Sequence, residues 1–282
     1  MKSGIEMKLR ENKSAMNAIY LGALSCLSYL AVYFARNILG AVTPGMIEGG
    51  LFDEALIGEL SSLYFIMYAV GQLINGIIGD RVKAKYMMTL GLLFAGVSNF
   101  IFVNVSATPT LATLAYGFTG FSLSMIYAPM TRMIAENTET IYTTRCSVAY
   151  TFSSFFGSPV AGIAAAVLSW QGVFYSSSAA LVAMAIAVFL FATIFERRGI
   201  IRYDQQKKQE KQKGVGIKPL FKRQIVKFTL IAMITGVIRT SVVFWMPTYF
   251  NQYLGFDPDQ SALLFTIATL LISAAAFVAV FV

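Results

Sequence analysis

The first pattern in the chain is where charge is missing. Asp, Glu, Lys and Arg are absent from residues 14–35, 60–79, 86–131, 146–195 and 260–282, and from 228–256 except for Arg239. One membrane-spanning helix takes ~20 apolar residues, so the two longest windows must each fold back once. The break in 86–131 falls at the turn-rich run from Asn104 to Thr110, and the break in 146–195 at Ser169-Trp-Gln-Gly172. Eight spans result, at 16–43, 59–79, 86–103, 110–131, 146–168, 173–195, 225–250 and 260–282. The uninterrupted apolar runs predict helices, because a membrane β-barrel needs shorter, alternating segments.

Composition and charge placement agree with an all-α membrane protein. Of 282 residues, 57% are hydrophobic and 13% charged, where a soluble domain carries about a quarter charged. Apart from Arg36, Arg239 and Lys227, every Lys and Arg lies in the N-terminus, in the second and fourth loops, or in the stretch after the sixth span. That alternation predicts a cytoplasmic N-terminus and a multi-pass protein of the inner or plasma membrane. The expected organisation is a cytoplasmic N-terminus (1–15), a six-helix bundle (16–196), a basic cytoplasmic linker (197–224) and the start of a second bundle (225–282). The apolar run ends at Val282 with no flanking charge, which predicts a truncated or partial chain.

The same bookkeeping narrows the chemistry. The chain has no His, its two cysteines (Cys26 and Cys146) form no paired framework, and no phosphate-binding GxxxxGK loop is present. An enzyme, a metal site, a cofactor and a nucleic-acid partner are therefore not expected. The expected partners are a small anionic substrate and the lipid bilayer, with the chain acting as a monomer. The +8 net charge is a membrane-topology signal once the basic residues are placed.

Arg36 and Arg239 are the exceptions, each inside an apolar span, with no carboxylate deeper in any span than Glu59 at the start of the second. An arginine near the bilayer centre costs ~2.5–3.5 kcal/mol on insertion scales, so the two mark a functional site, and an anion is the missing counter-charge. Snorkelling is the alternative, though Arg239 lies ~14 residues, or ~21 Å, into its span. Each arginine precedes a proline by eight residues, Pro44 and Pro247. That correspondence suggests two parallel repeats with a site between them at mid-membrane. Tyr29 and Tyr33 share a face with Arg36, and Tyr64, Tyr68, Gln72 and Asn75 form a second stripe on the second span. Ser147, Thr151, Ser154 and Ser158 form a third stripe on the fifth span, of a kind that usually packs helices in membranes.

The loop Gly76-Ile-Ile-Gly-Asp80-Arg81-Val-Lys-Ala-Lys85 resembles the signature of the major facilitator superfamily, with Lys83 where a second Gly is usual. The resemblance implies a two-bundle transporter in which Gly76, Asp80, Arg81 and Lys85 act in conformational switching, Asp80 and Arg81 pairing with neighbouring helix ends. A narrower similarity, to the organophosphate/phosphate antiporters, rests on Tyr33-Phe-Ala-Arg36 with Pro44, on Arg239 with Phe244-Trp245-Met-Pro247-Thr-Tyr249, and on Pro129-Met-Thr-Arg132. It implies that Arg36 and Arg239 clasp a phosphate-like group, with Tyr29, Tyr33, Tyr68, Gln72 and Ser153 as further substrate-binding residues. Gln72, Ser153 and Asn37 stand where glycerol-phosphate members have Lys, His and Lys, so a less highly charged anion than a phosphate ester stays open.

The expected function is secondary transport of that anion by alternating access. Exchange fits better than proton coupling, because the spans offer neither a carboxylate nor a His for a relay. A membrane sensor for the same anion and a proton-coupled carrier of another small organic anion are the alternatives.

Overall fold

The computed structural model describes residues 2–79, 81–203 and 225–279, all of whose regular structure is helical. The helices are α1 (Lys2–Glu48), α2 (Glu54–Gly79), α3 (Ala84–Asn104), α4 (Pro109–Leu123), α5 (Tyr127–Asn137), α6 (Thr140–Phe155), α7 (Gly157–Val167), α8 (Trp170–Arg197), α9 (Ile225–Gln252) and α10 (Pro258–Ala279). Among the described residues, eight segments are long and apolar enough to cross a membrane. The fourth of these is α4 with α5, and the fifth is α6 with α7.

Both interruptions have local causes. Before the first, Ser122 and Ser124 donate to the carbonyls of Phe118 and Phe121, bonds that compete with the helix ladder. Asn75 of α2 then donates to Ser124 Oγ at 2.8 Å and fixes the break. At the second, Pro159 has no N–H to give and its ring crowds the Phe155 carbonyl one turn back, so α6 stops at Phe155. Pro44 and Pro247, by contrast, lie inside α1 and α9.

The helices outrun the charge-free windows. α1 continues to Glu48, α5 runs to Asn137 and α6 begins at Thr140, which puts Arg132 and Arg145 on helices instead of in a loop. Hydrogen bonding along a helix does not stop where hydrophobicity does; the turn at Thr138-Glu139 sets these ends. The six-helix bundle also reaches past residue 196. Ile200 and Ile201 are buried, the Arg202 amide donates to Asn137 Oδ1 at 2.6 Å, and the Lys85 amide donates to the Tyr203 hydroxyl at 3.2 Å. Burial pushes the Tyr203 phenol up to about 12. The rest of the expected linker, 204–224, lies outside the described residues.

Within the first bundle α3 packs on α8, α2 on α4, and α1 on α6, α7 and α8. The second bundle meets the first through α9 against α1 and α10 against α7. Glycines let these pairs approach. A Cβ on Gly40 would sit 2.9 Å from the Phe244 carbonyl oxygen, and one on Gly162 2.9 Å from that of Ala262. At the same end Asn251 donates to Glu48 at 3.0 Å and Gln252 donates to Glu54. Toward the linker end the halves part: residues 227–239 of α9 are exposed, whereas Pro247 and Thr248 are buried. The two bundles therefore touch at one end and splay at the other.

Candidate substrate site

Between the halves lies a cavity of about 330 Å³, lined by both Arg36 of α1 and Arg239 of α9. A second opening of about 590 Å³, between α2 and α9, has no charged residue in its lining. The first is the better candidate because it gathers the two charges that membrane energetics disfavour most.

The arginines are held differently. The Arg36 guanidinium lies 5.0, 5.5 and 5.6 Å from the ring centres of Tyr68, Phe65 and Tyr33. Four phenols, those of Tyr29, Tyr33, Tyr64 and Tyr68, surround it. Arg239 is exposed to the cavity and has one ring beneath it, Phe155 at 5.9 Å. Among the described residues neither arginine pairs with a carboxylate; the ion pairs there belong to Lys83, Lys85 and Arg132. Aromatic faces recover ~2 kcal/mol or more for a desolvated cation, without neutralising it. The cavity therefore keeps a double positive charge and donor-only guanidinium groups.

Of the other expected site residues, Tyr33 lines the cavity and Tyr68 braces Arg36. Tyr29 is buried behind Tyr33, at 4.9 Å between ring centres, and also packs on Tyr150 at 5.4 Å, so it supports the wall from behind. Gln72 is not in the lining; its amide faces the Tyr68 hydroxyl. Ser153 points elsewhere. Its hydroxyl donates to the Cys26 carbonyl and ties α6 to α1, while Ser154 takes the cavity position. Thr151, Ser154 and Ser158, which fit helix packing by their spacing, line the cavity, as do Thr269 and Ser273 of α10. The only sequence signal for the last two is their one-turn spacing inside an apolar run.

The loop after α2 also differs in detail from expectation. Asp80 lies outside the described residues. Among the described residues the exposed Arg81 makes no ion pair, and Gly76 is half-buried on α2. The α2 end is met instead by Arg132, whose Nη1 donates to the Gly79 carbonyl at 2.6 Å, a cation at a helix C-terminus. The buried Lys85 pairs with Glu196 of α8, which Lys83 also reaches at 2.7 Å. Glu196 holds the Lys83 ammonium above its usual range.

Two helical bundles around a cavity lined by two arginines define a polytopic membrane protein with a cationic central cavity. The chain belongs to the Major Facilitator Superfamily, which it matches over residues 25–282. It is 24% identical over 253 residues to the membrane sensor protein UhpC of Escherichia coli (strain K12), covering 82% of this chain and 56% of that protein. It is 30% identical over 110 residues to the probable hexose phosphate transport protein of Chlamydia trachomatis serovar D, covering 39% of this chain and 24% of that one. The chain thus spans little more than half of the first of these relatives and less of the second. The crystal structure of the nucleoside transporter NupG superposes with a TM-score of 0.65 at 15% identity, over 94% of this chain and 67% of that one, a likeness of fold alone. The family sets the chain apart from enzymes.

Proposed function

We propose that this chain builds the binding core of a secondary transporter for a small organophosphate or phosphate-like anion. The observation that carries the proposal is the placement of Arg36 and Arg239 on one cavity with no carboxylate to neutralise them among the described residues. A tetrahedral oxyanion supplies the missing charge, and two planar guanidinium forks bind it bidentately. The hexose phosphate transport protein among the relatives supports that ligand class. Basic residues at the N-terminus and in the even loops support a cytoplasmic N-terminus, with the protein in the inner or plasma membrane.

The two bundles rock about the anion, alternately closing each end of the cavity. The anion is the charge that both halves grip in either state, so an empty cavity with two facing arginines resists closure. Return without cargo is unfavourable on that account, and exchange follows. The absence of His from the sequence leaves proton coupling without its usual relay.

Counterflow tests this. Proteoliposomes bearing the complete gene product and loaded with inorganic phosphate should take up labelled phosphate or phosphate ester, and empty ones should not. Uptake that needs a pH gradient and no internal anion would overturn exchange. A second reading, a sensor that binds the same anion and signals, is favoured by the likeness to a membrane sensor protein. Saturable binding with no flux under any loading would select it.

A further inference from the structure

The cavity carries two kinds of polar surface. Its cations come from α1 and α9, which also contribute Tyr33, Asn37 and Thr240, while the polar lining of α6, α7 and α10 consists of serine and threonine hydroxyls. A serine or threonine hydroxyl has one proton to donate and two lone pairs to accept with. Most of these protons are already committed. Thr151 donates to the Ser147 carbonyl at 2.8 Å, and Ser154 to the Thr151 carbonyl at 2.6 Å. Thr269 donates to the Phe265 carbonyl at 2.7 Å, and Ser273 to the Thr269 carbonyl at 2.6 Å. Back-bonding of this sort is ordinary in helices. Its consequence at a cavity wall is chemical: these four oxygens have lone pairs left and no proton to give.

An ionised phosphate oxygen also only accepts, so it gains nothing from such a wall and is repelled by its lone pairs. It belongs with the guanidinium groups, which only donate. The wall suits the opposite partner, a neutral group with O–H donors. The space allows both, since about 330 Å³ holds about eleven waters at ~30 Å³ each, more than one tetrahedral oxyanion displaces. We infer that Thr269 and Ser273 of α10, facing Thr151 and Ser154 of α6, form an acceptor subsite for the hydroxyl groups of a polyol phosphate, and so distinguish an ester from inorganic phosphate. This inference rests on the organophosphate reading of the same cavity and assigns the non-ionic part of the ligand.

The test compares two ligands on one variant. Thr269→Val keeps the side-chain shape and Ser273→Ala removes one oxygen. Displacement of labelled inorganic phosphate from the purified chain reports affinities for a hexose phosphate and for phosphate itself. The double variant should bind the hexose phosphate about twenty-five-fold more weakly, at about fivefold for each of two neutral hydrogen bonds, and inorganic phosphate within about twofold of wild type. Equal losses for both ligands, or no loss for either, at an unchanged thermal midpoint would overturn the subsite. A wild-type chain that binds neither ligand would overturn the organophosphate reading itself, and the subsite with it. Should the double variant fail to fold, Ser273→Ala alone carries the same comparison, Ser273 being only partly buried.

Discussion

Arg36 and Arg239 look alike in sequence and unlike in place. Arg36 is wedged among Tyr33, Phe65 and Tyr68, its charge unpaired, whereas Arg239 extends into the cavity over Phe155 alone. A buried cation without a carboxylate lowers stability in exchange for function. Arg36→Met keeps the volume and removes the charge, so it should raise the thermal midpoint, by about 1 kcal/mol or more of stability. Arg239→Met should leave the midpoint where it is, as exposed substitutions do. Neither variant's midpoint should respond to added phosphate ester, while that of wild type rises. Differential scanning fluorimetry with and without ligand checks all three, and a destabilised Arg36→Met would make Arg36 a structural residue. Both arginines were legible in the sequence because each breaks an otherwise charge-free run. Ser153 illustrates the opposite case. Family likeness points to it, while helical spacing already grouped Thr151, Ser154 and Ser158 on one face. Of the stripe that spacing grouped, Thr151, Ser154 and Ser158 line the cavity and Ser147 does not. What it could not tell is whether that face meets another helix or an open space, because small hydroxyls serve both.

Among the elements, helix count and order follow from hydrophobicity, and the helix ends do not. Charge marks where a chain leaves the membrane, so Arg145 read as loop, although α6 starts at Thr140. The breaks at Ser124–Ile126 and Phe156 depend on serine back-bonding and on Pro159, which no hydropathy window resolves. The contact between α8 and the start of α3 was likewise invisible, since Lys85 and Glu196 are 111 positions apart. Its energetics can be checked. Glu196→Ala strands the buried Lys85 ammonium and should cost roughly 1.5 kcal/mol, the low end for hydrogen bonds to charged groups because Glu196 is 27% exposed. Lys83→Ala removes only an exposed partner and should leave the thermal midpoint unmoved. Thermal unfolding in detergent separates the two, and equal effects would mean that Lys83, not Lys85, carries the contact.

For the whole molecule, the matched Arg–Pro spacings suggested a two-repeat plan, and the placement of both arginines on one cavity fits it. The state of the cavity was not in the sequence. It arises from where the halves touch, at Gly40 against Phe244 and Gly162 against Ala262, and from the Asn251–Glu48 and Gln252–Glu54 bonds beyond them. Everything proposed about function returns to the claim that two guanidinium groups from opposite halves grip one oxyanion. Lysine at either position keeps the charge and loses the planar fork. The direct measurement is equilibrium binding of a labelled phosphate ester to purified wild-type, Arg36→Lys and Arg239→Lys chains of equal thermal midpoint. Each lysine variant should bind at least about thirtyfold more weakly, since a desolvated charged hydrogen bond lost at a binding site costs ~2 kcal/mol or more. Wild-type affinity in both lysine variants would contradict the account.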